Sequence, residues 1–171
     1  NVALSFLSQS GRFLARVSGE ECGNVLLRKK QYFLSEDEEA SLNIAKNFIT
    51  GKVFNARWVL ERATRDHAMR LDVERMKRVS GQLKKSLGSV RSCDSMGALR
   101  GIEGEAASLY FSVFDEMILQ QKEDFSFHGR SRRPPLDAIN ALLSFTYTLL
   151  TNMCAAALET VGLDPYVGFM H

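Results

Sequence analysis

No residue between Ala138 and Leu158 carries a charge, and nothing else in the chain restricts its fold as much. A helix of that length can cross a bilayer. If it does not, protein must cover it, because a helix that is apolar around most of its circumference is a central one. Asn140, Ser144, Tyr147, Thr148, Thr151 and Asn152 interrupt the run, and Glu159 closes it. The expectation is a buried core helix and no membrane span. At 100° per residue, Asn140, Ser144, Tyr147 and Thr151 form one polar stripe. Inside a protein that stripe must be satisfied, by hydrogen bonds to neighbouring helices or at a functional cavity.

The remaining sequence supplies helices to pack around it. From Ser35 the apolar residues recur at helical spacing through Ile44, Phe48, Trp58 and Leu60, with a break expected near Gly51. Ser35 and Glu38 have the spacing of a capping box. A second helix is read over 68–87, with 88–97 as a loop. Asp94 or Ser95 is then placed to cap a third helix reaching about Leu119. A polar, basic loop follows. Pro134 and Pro135 suit the start of the uncharged helix, and Gly162 suits its end. Asp164 and Pro165 could open one more short helix. Upstream, "VALSFL" and "RFLARV" read as a hairpin joined through "SQSG", and "NVLLRKKQYFL" as a third strand or the start of a helix. The fold class is mainly α: residues 1–34 as the C-terminal part of a β domain with its linker, and residues 35–171 as a helical domain.

Composition adds limits. At 171 residues, 45% hydrophobic and 25% charged, the chain can bury one ordinary core, and a net charge of +2 says little about partners. Cys22, Cys93 and Cys154 have no metal-site spacing and read as reduced thiols of a cytoplasmic protein. There is no starting Met or signal peptide, and the chain is expected to be part of a longer protein.

Candidate chemistry concentrates in "RGIEGEAASLYF". Ala107, Tyr110, Phe114 and Met117 share one helix face, with Glu103 at its middle and Glu105 almost opposite. Glu105 is expected to be solvated. An inward carboxylate needs a pairing arginine, a hydrogen-bond network or a metal. Gly101 and Gly104 leave room for another backbone to approach. Between Arg57 and Arg91 ten basic residues face four acidic ones, and Arg130, Arg132 and Arg133 lie in the loop beside Phe125, Phe127 and His128. Such clusters bind phosphates without reading sequence, or are solvated helix faces. His67 is expected at the surface. No Ser/His/Asp order, P-loop or HExxH is present.

The stretches "GRFLARVSG", "GNVLLRKKQY", "GKVFNARWVLER", "LRGIEGEAASLYF", "GRSRRPPLDAINALLSFTYTLL" and "ALETVGLDPYVGFMH" together resemble the CRISPR-associated integrase family, the proteins that insert new spacers into a CRISPR array. The style of the fifth suggests the I-C subtype. The resemblance implies a helical catalytic domain behind an N-terminal β domain. It implies Mg²⁺ or Mn²⁺ held by Glu103, His171 and an Asp that follows the histidine, beyond this chain. Asn140 and Tyr110 match further positions near the site. As ligands of one ion, the Glu103 carboxylate and the His171 ring must come within about 5 Å of each other. The implied activity joins prespacer 3′-hydroxyls to the array, with endonuclease activity when water attacks instead. Arg57, Arg65, Arg130, Arg132 and Arg133 would hold DNA phosphates. The implied partners are double-stranded DNA, a second copy in a homodimer, a small companion protein of the adaptation complex and an iron–sulfur nuclease. Without the Asp, little activity is expected from this chain alone. The rival reading is a non-catalytic helical module that binds DNA or a protein partner.

Overall fold

The computed structural model describes residues 4–9, 12–17 and 23–170. Strands β1 (Leu4–Leu7) and β2 (Phe13–Val17) pair antiparallel, as the hairpin reading expects. Five α-helices follow: α1 (Val25–Glu36), α2 (Glu38–Asp66), α3 (Val73–Ser92), α4 (Met96–Ser112) and α5 (Ala138–Val161). Of the two readings of "NVLLRKKQYFL", the helical one holds. Asn24 caps α1 by accepting from the Leu27 amide at 3.3 Å.

Several sequence-based boundaries move, each for a local reason. Asp37, not Ser35, caps α2, accepting from the Ala40 amide at 3.0 Å, while the Ser35 hydroxyl turns back to the Tyr32 carbonyl. No break occurs at Gly51. A glycine costs a helix interior only about 1 kcal/mol, and burial of Ile49 and Val53 on either side outweighs that. A 3₁₀ turn over Ala68–Arg70 separates α2 from α3, and Asp72 caps α3. Helix α3 runs on through the expected loop to Ser92, leaving only 93–95 as connection, and Ser95 caps α4. Helix α4 tightens after Ser112 into a 3₁₀ turn over Phe114–Met117. Asp137 caps α5 after the two prolines, and Gly162 ends it at φ 87°, in the left-handed region glycine favours. Residues 163–170 form turns, with no further helix.

The core is a bundle of α2, α3 and α4, with α1 laid on α2. Each bundle helix presents an apolar stripe at intervals of three, four or seven residues: Ala45, Ile49, Val53 and Leu60 from α2; Met76, Val79, Leu83 and Val90 from α3; Leu99, Ala106 and Val113 from α4. Each fully buried leucine contributes roughly 1.5–3 kcal/mol.

Helix α5 departs furthest from expectation. It is not central: all helix pairs that pack along their length lie among α1–α4. Among its residues only Asn140 is buried, and Leu142, Phe145, Leu149, Leu150 and Met153 are exposed. By length and composition it could cross a membrane. The buried apolar cluster comes from α2, α3 and α4, and α5 is tied on by polar contacts such as Arg130–Ser144 and Arg16–Glu159.

Candidate metal and nucleic-acid site

Glu103 lies on α4 beside the core-facing stripe rather than in its middle. Leu99, Ile102, Ala106, Leu109 and Val113 face the bundle, whereas Glu103, Ala107, Tyr110 and Phe114 form an adjoining, partly buried face. The Glu103 carboxylate accepts from the Lys52 ammonium of α2 in an ion pair. The counter-cation is thus a lysine from the neighbouring helix, not an arginine. Glu105 is exposed as expected, beside Lys85 and Gln82 over the α3–α4 seam. No atom would meet a Cβ added at Gly101 or Gly104, so these glycines border open space rather than a second backbone.

The segment leading to the terminal histidine is held by α1. Gln31, 5% exposed, donates to the carbonyls of Asp164 (2.9 Å) and Val167 (3.3 Å) and accepts from the Asp164 amide (2.8 Å). Tyr32 donates to the Asp164 carboxylate at 2.6 Å, and Arg28 to the Gly162 carbonyl at 3.1 Å. One turn earlier, Arg16 of β2 pairs with Glu159 of α5 at 2.5 Å. The Tyr32 hydroxyl, followed by the Tyr166 amide, holds the Asp164 carboxyl below its ordinary pKa, and that carboxylate in turn raises the phenol. Beyond the clasp, Met170 packs back onto the bundle core. His171 lies outside the described residues, and with it the expected approach to Glu103.

Asn140 organises the loop before α5. Its amide donates to the Gly129 carbonyl (2.8 Å) and to Asp137 (2.7 Å), and its side-chain oxygen accepts from Arg130 (2.8 Å) and the Ser131 amide (2.9 Å). Gly129 sits at φ 142°, a conformation that strains any side chain. The Arg130 guanidinium also donates to Ser144 at 3.3 Å and lies 5.7 Å from the Tyr147 ring centre. A loop arginine therefore meets Asn140, Ser144 and Tyr147 of the polar stripe, while Thr151 donates to the Tyr147 carbonyl at 2.8 Å. Tyr110 packs edge-on against Phe111 and Phe114. Burial, with a smaller contribution from Tyr147, raises its phenol pKa. Phe111, Phe114 and Phe127 seat the loop on α4.

The five phosphate-binding candidates separate into two kinds. Arg57 is turned inward to Glu61 (3.1 Å), which also accepts from Ser80 of α3 (2.5 Å), and Arg130 is engaged as above. Arg65 is exposed and pairs with Asp66 at 2.9 Å. Arg132 and Arg133 are exposed at the loop. Arg132 and His128 border an open cleft of about 490 Å³ with Ser108 and Phe111. Sequence reasoning missed Lys52, Gln31 and Tyr32, although all three lie inside the motifs "GKVFNARWVLER" and "GNVLLRKKQY".

The donor set fits a divalent ion in part. Glu103 is a hard oxygen donor on a rigid helix, and its carboxylate already holds a cation. Among the described residues no group of three His, Cys, Asp or Glu side chains could enclose an ion. Free thiols are present at Cys93 and Cys154.

The family model described as CRISPR associated protein Cas1 matches residues 1–171. A CRISPR-associated endonuclease Cas1 of Rhodospirillum rubrum is 51% identical, over 99% of this chain and 50% of its own length. The chain spans about half the length of the curated relatives it matches. Among solved structures, a casposase bound to integration product superposes with a TM-score of 0.79 at 32% identity, covering 100% of this chain and 46% of that one. A Cas6-RT-Cas1–Cas2 complex gives 0.77 at 28% identity, over 99% of this chain and 18% of that one. With a model match along its whole length and a helical architecture shared with these neighbours, the chain belongs to the Cas1 family of CRISPR-associated proteins.

Proposed function

We propose that this chain is the Glu103-bearing portion of a metal-dependent DNA integrase. In the reaction a DNA 3′-hydroxyl attacks a phosphodiester, forming a new P–O bond as the P–O3′ bond of the target strand breaks and its 3′-oxygen leaves, and water in place of the hydroxyl gives endonuclease cleavage. The observation that carries the reading is the likeness of the whole chain, at 32% identity, to a casposase solved with its integration product, with Glu103 fixed on the bundle. Glu103 and His171 would hold Mg²⁺ or Mn²⁺, with an Asp from outside this chain. When bound, such an ion stabilises the oxyanions of an in-line displacement.

The remaining roles belong to the chain's own residues. Arg132 and Arg133 face solvent and bind DNA phosphates, while Arg130 and Asn140 hold their loop on α5. Gln31 and Tyr32 hold the turn that carries the terminal histidine. Tyr110 lines the partly buried face next to Glu103. The partners we assign are double-stranded DNA, a second copy of the protein and a small companion protein. The companion assignment draws on the Cas1–Cas2 neighbour. An iron–sulfur nuclease is a further assigned partner, and the cytoplasm is the assigned compartment.

The test is strand transfer by the full-length protein with a 3′-hydroxyl DNA and Mn²⁺. Glu103→Gln is expected to lose roughly 100-fold or more of the joining while circular dichroism stays unchanged. Undiminished joining would end the assignment. A second reading, a DNA-binding module without catalysis, rests on the exposed Arg132 and Arg133 of the loop. It predicts salt-sensitive DNA binding that is indifferent to Glu103 and to metal.

A further inference from the structure

We infer that Lys52 is a positioning residue that competes with the divalent cation for Glu103, fixing the carboxylate while the ion is absent and setting how tightly the ion binds. The inference rests on the metal reading of Glu103 given above. Lys52 and Glu103 come from different helices of the bundle, so apolar packing of α2 against α4 fixes the spacing of their backbones. Their pairing uses the Glu103 Oε1 oxygen, one of only two that the carboxylate can offer an ion.

The two partners differ in cover. The Glu103 side chain is 26% exposed and that of Lys52 53%, so the acid is anchored on its helix face while the ammonium reaches it from a solvent-facing stem. An ammonium and a divalent ion on the same carboxylate repel each other. Arrival of the ion therefore requires Lys52 to swing away, and a flexible four-carbon stem already half in water can do so at little cost. With Lys52 in place the carboxylate keeps one orientation, which preorganises the ligand. The competing charge also weakens retention of the ion.

The test is a Mn²⁺ titration of the ¹⁵N-labelled full-length protein. It follows paramagnetic broadening of the Glu103 amide, a readout that reaches millimolar affinities and needs no turnover. Lys52→Met is expected to lower the half-saturating Mn²⁺ concentration about two- to five-fold, the scale of a partly exposed ion pair. Lys52→Arg, which keeps the charge, should stay close to the parent, and Glu103→Gln should abolish site-specific broadening. Unchanged or weaker Mn²⁺ binding by Lys52→Met, with Glu103→Gln still abolishing it, would overturn the competition alone. Broadening that survives Glu103→Gln would overturn the metal reading and the competition with it.

Discussion

Two regions of this molecule are held by different physics. The α2–α4 bundle that carries Glu103 is fixed by buried apolar stripes, with Leu60, Met76, Leu83 and Leu99 fully enclosed. The region from Gly129 onward, which carries the exposed arginines and leads to His171, rests largely on polar clasps. Asn140 and Arg130 hold its loop, and Gln31, Tyr32 and Arg28 hold its last turn. Apolar burial is non-directional and summed over many residues, so it resists single changes in hydrogen bonding. A polar clasp concentrates its effect in a few buried groups, and losing one leaves its partners unpaired. The bundle should therefore unfold as a unit, and the later region should open locally beforehand.

The largest expected effect lies in the bundle. Leu83→Ala should destabilise the whole chain by about 2–5 kcal/mol, read as a lowered midpoint in urea. A loss under about 1 kcal/mol would mean that the bundle is not the cooperative unit. Asn140→Ala removes a fully buried side chain with four hydrogen bonds and should cost about 2–3 kcal/mol. That loss should appear first as proteolysis and faster hydrogen exchange over 129–137. Gln31→Leu should cost less, about 1–2 kcal/mol, and its faster exchange should be confined to 163–168 while α3 amides stay protected. Equal loss of protection in both regions would erase the distinction drawn here.

The smallest effect is one of pH. Tyr32 and the Tyr166 amide hold the Asp164 carboxyl below its unfolded value. Its contribution is therefore complete above the ordinary carboxylate pKa of about 3.9 and is lost as pH falls through the depressed folded value. Exchange over 163–168 should rise in acid before the bundle responds, and Asp164→Asn should remove that step.

The sequence disclosed the bundle more fully than the later region, for the same physical reasons. Periodic apolar residues reveal helices locally, so every helix of the bundle was legible, with errors at caps such as Asp37, at the supposed break at Gly51 and at the ends of α3 and α4. The composition of α5 showed that it needs cover but could not show what covers it, and here the bundle does not. The 100° spacing separated Glu103 from Glu105 without coordinates. Lys52, 51 residues upstream of Glu103, depends on the register between two helices and leaves no periodic trace. The Gln31–Asp164 clasp spans 133 residues and was illegible for the same reason.

The most direct test of one shared metal site is where Mn²⁺ broadens the amide spectrum of the ¹⁵N-labelled full-length protein. Sub-stoichiometric Mn²⁺ is predicted to broaden Glu103 and its α4 neighbours together with Phe169 and Met170, and Gln31→Leu should weaken the second set while sparing the first. Broadening at Glu103 with sharp Phe169 and Met170 signals, or broadening confined to other acids such as Glu38 and Glu39, would contradict a site built from both regions.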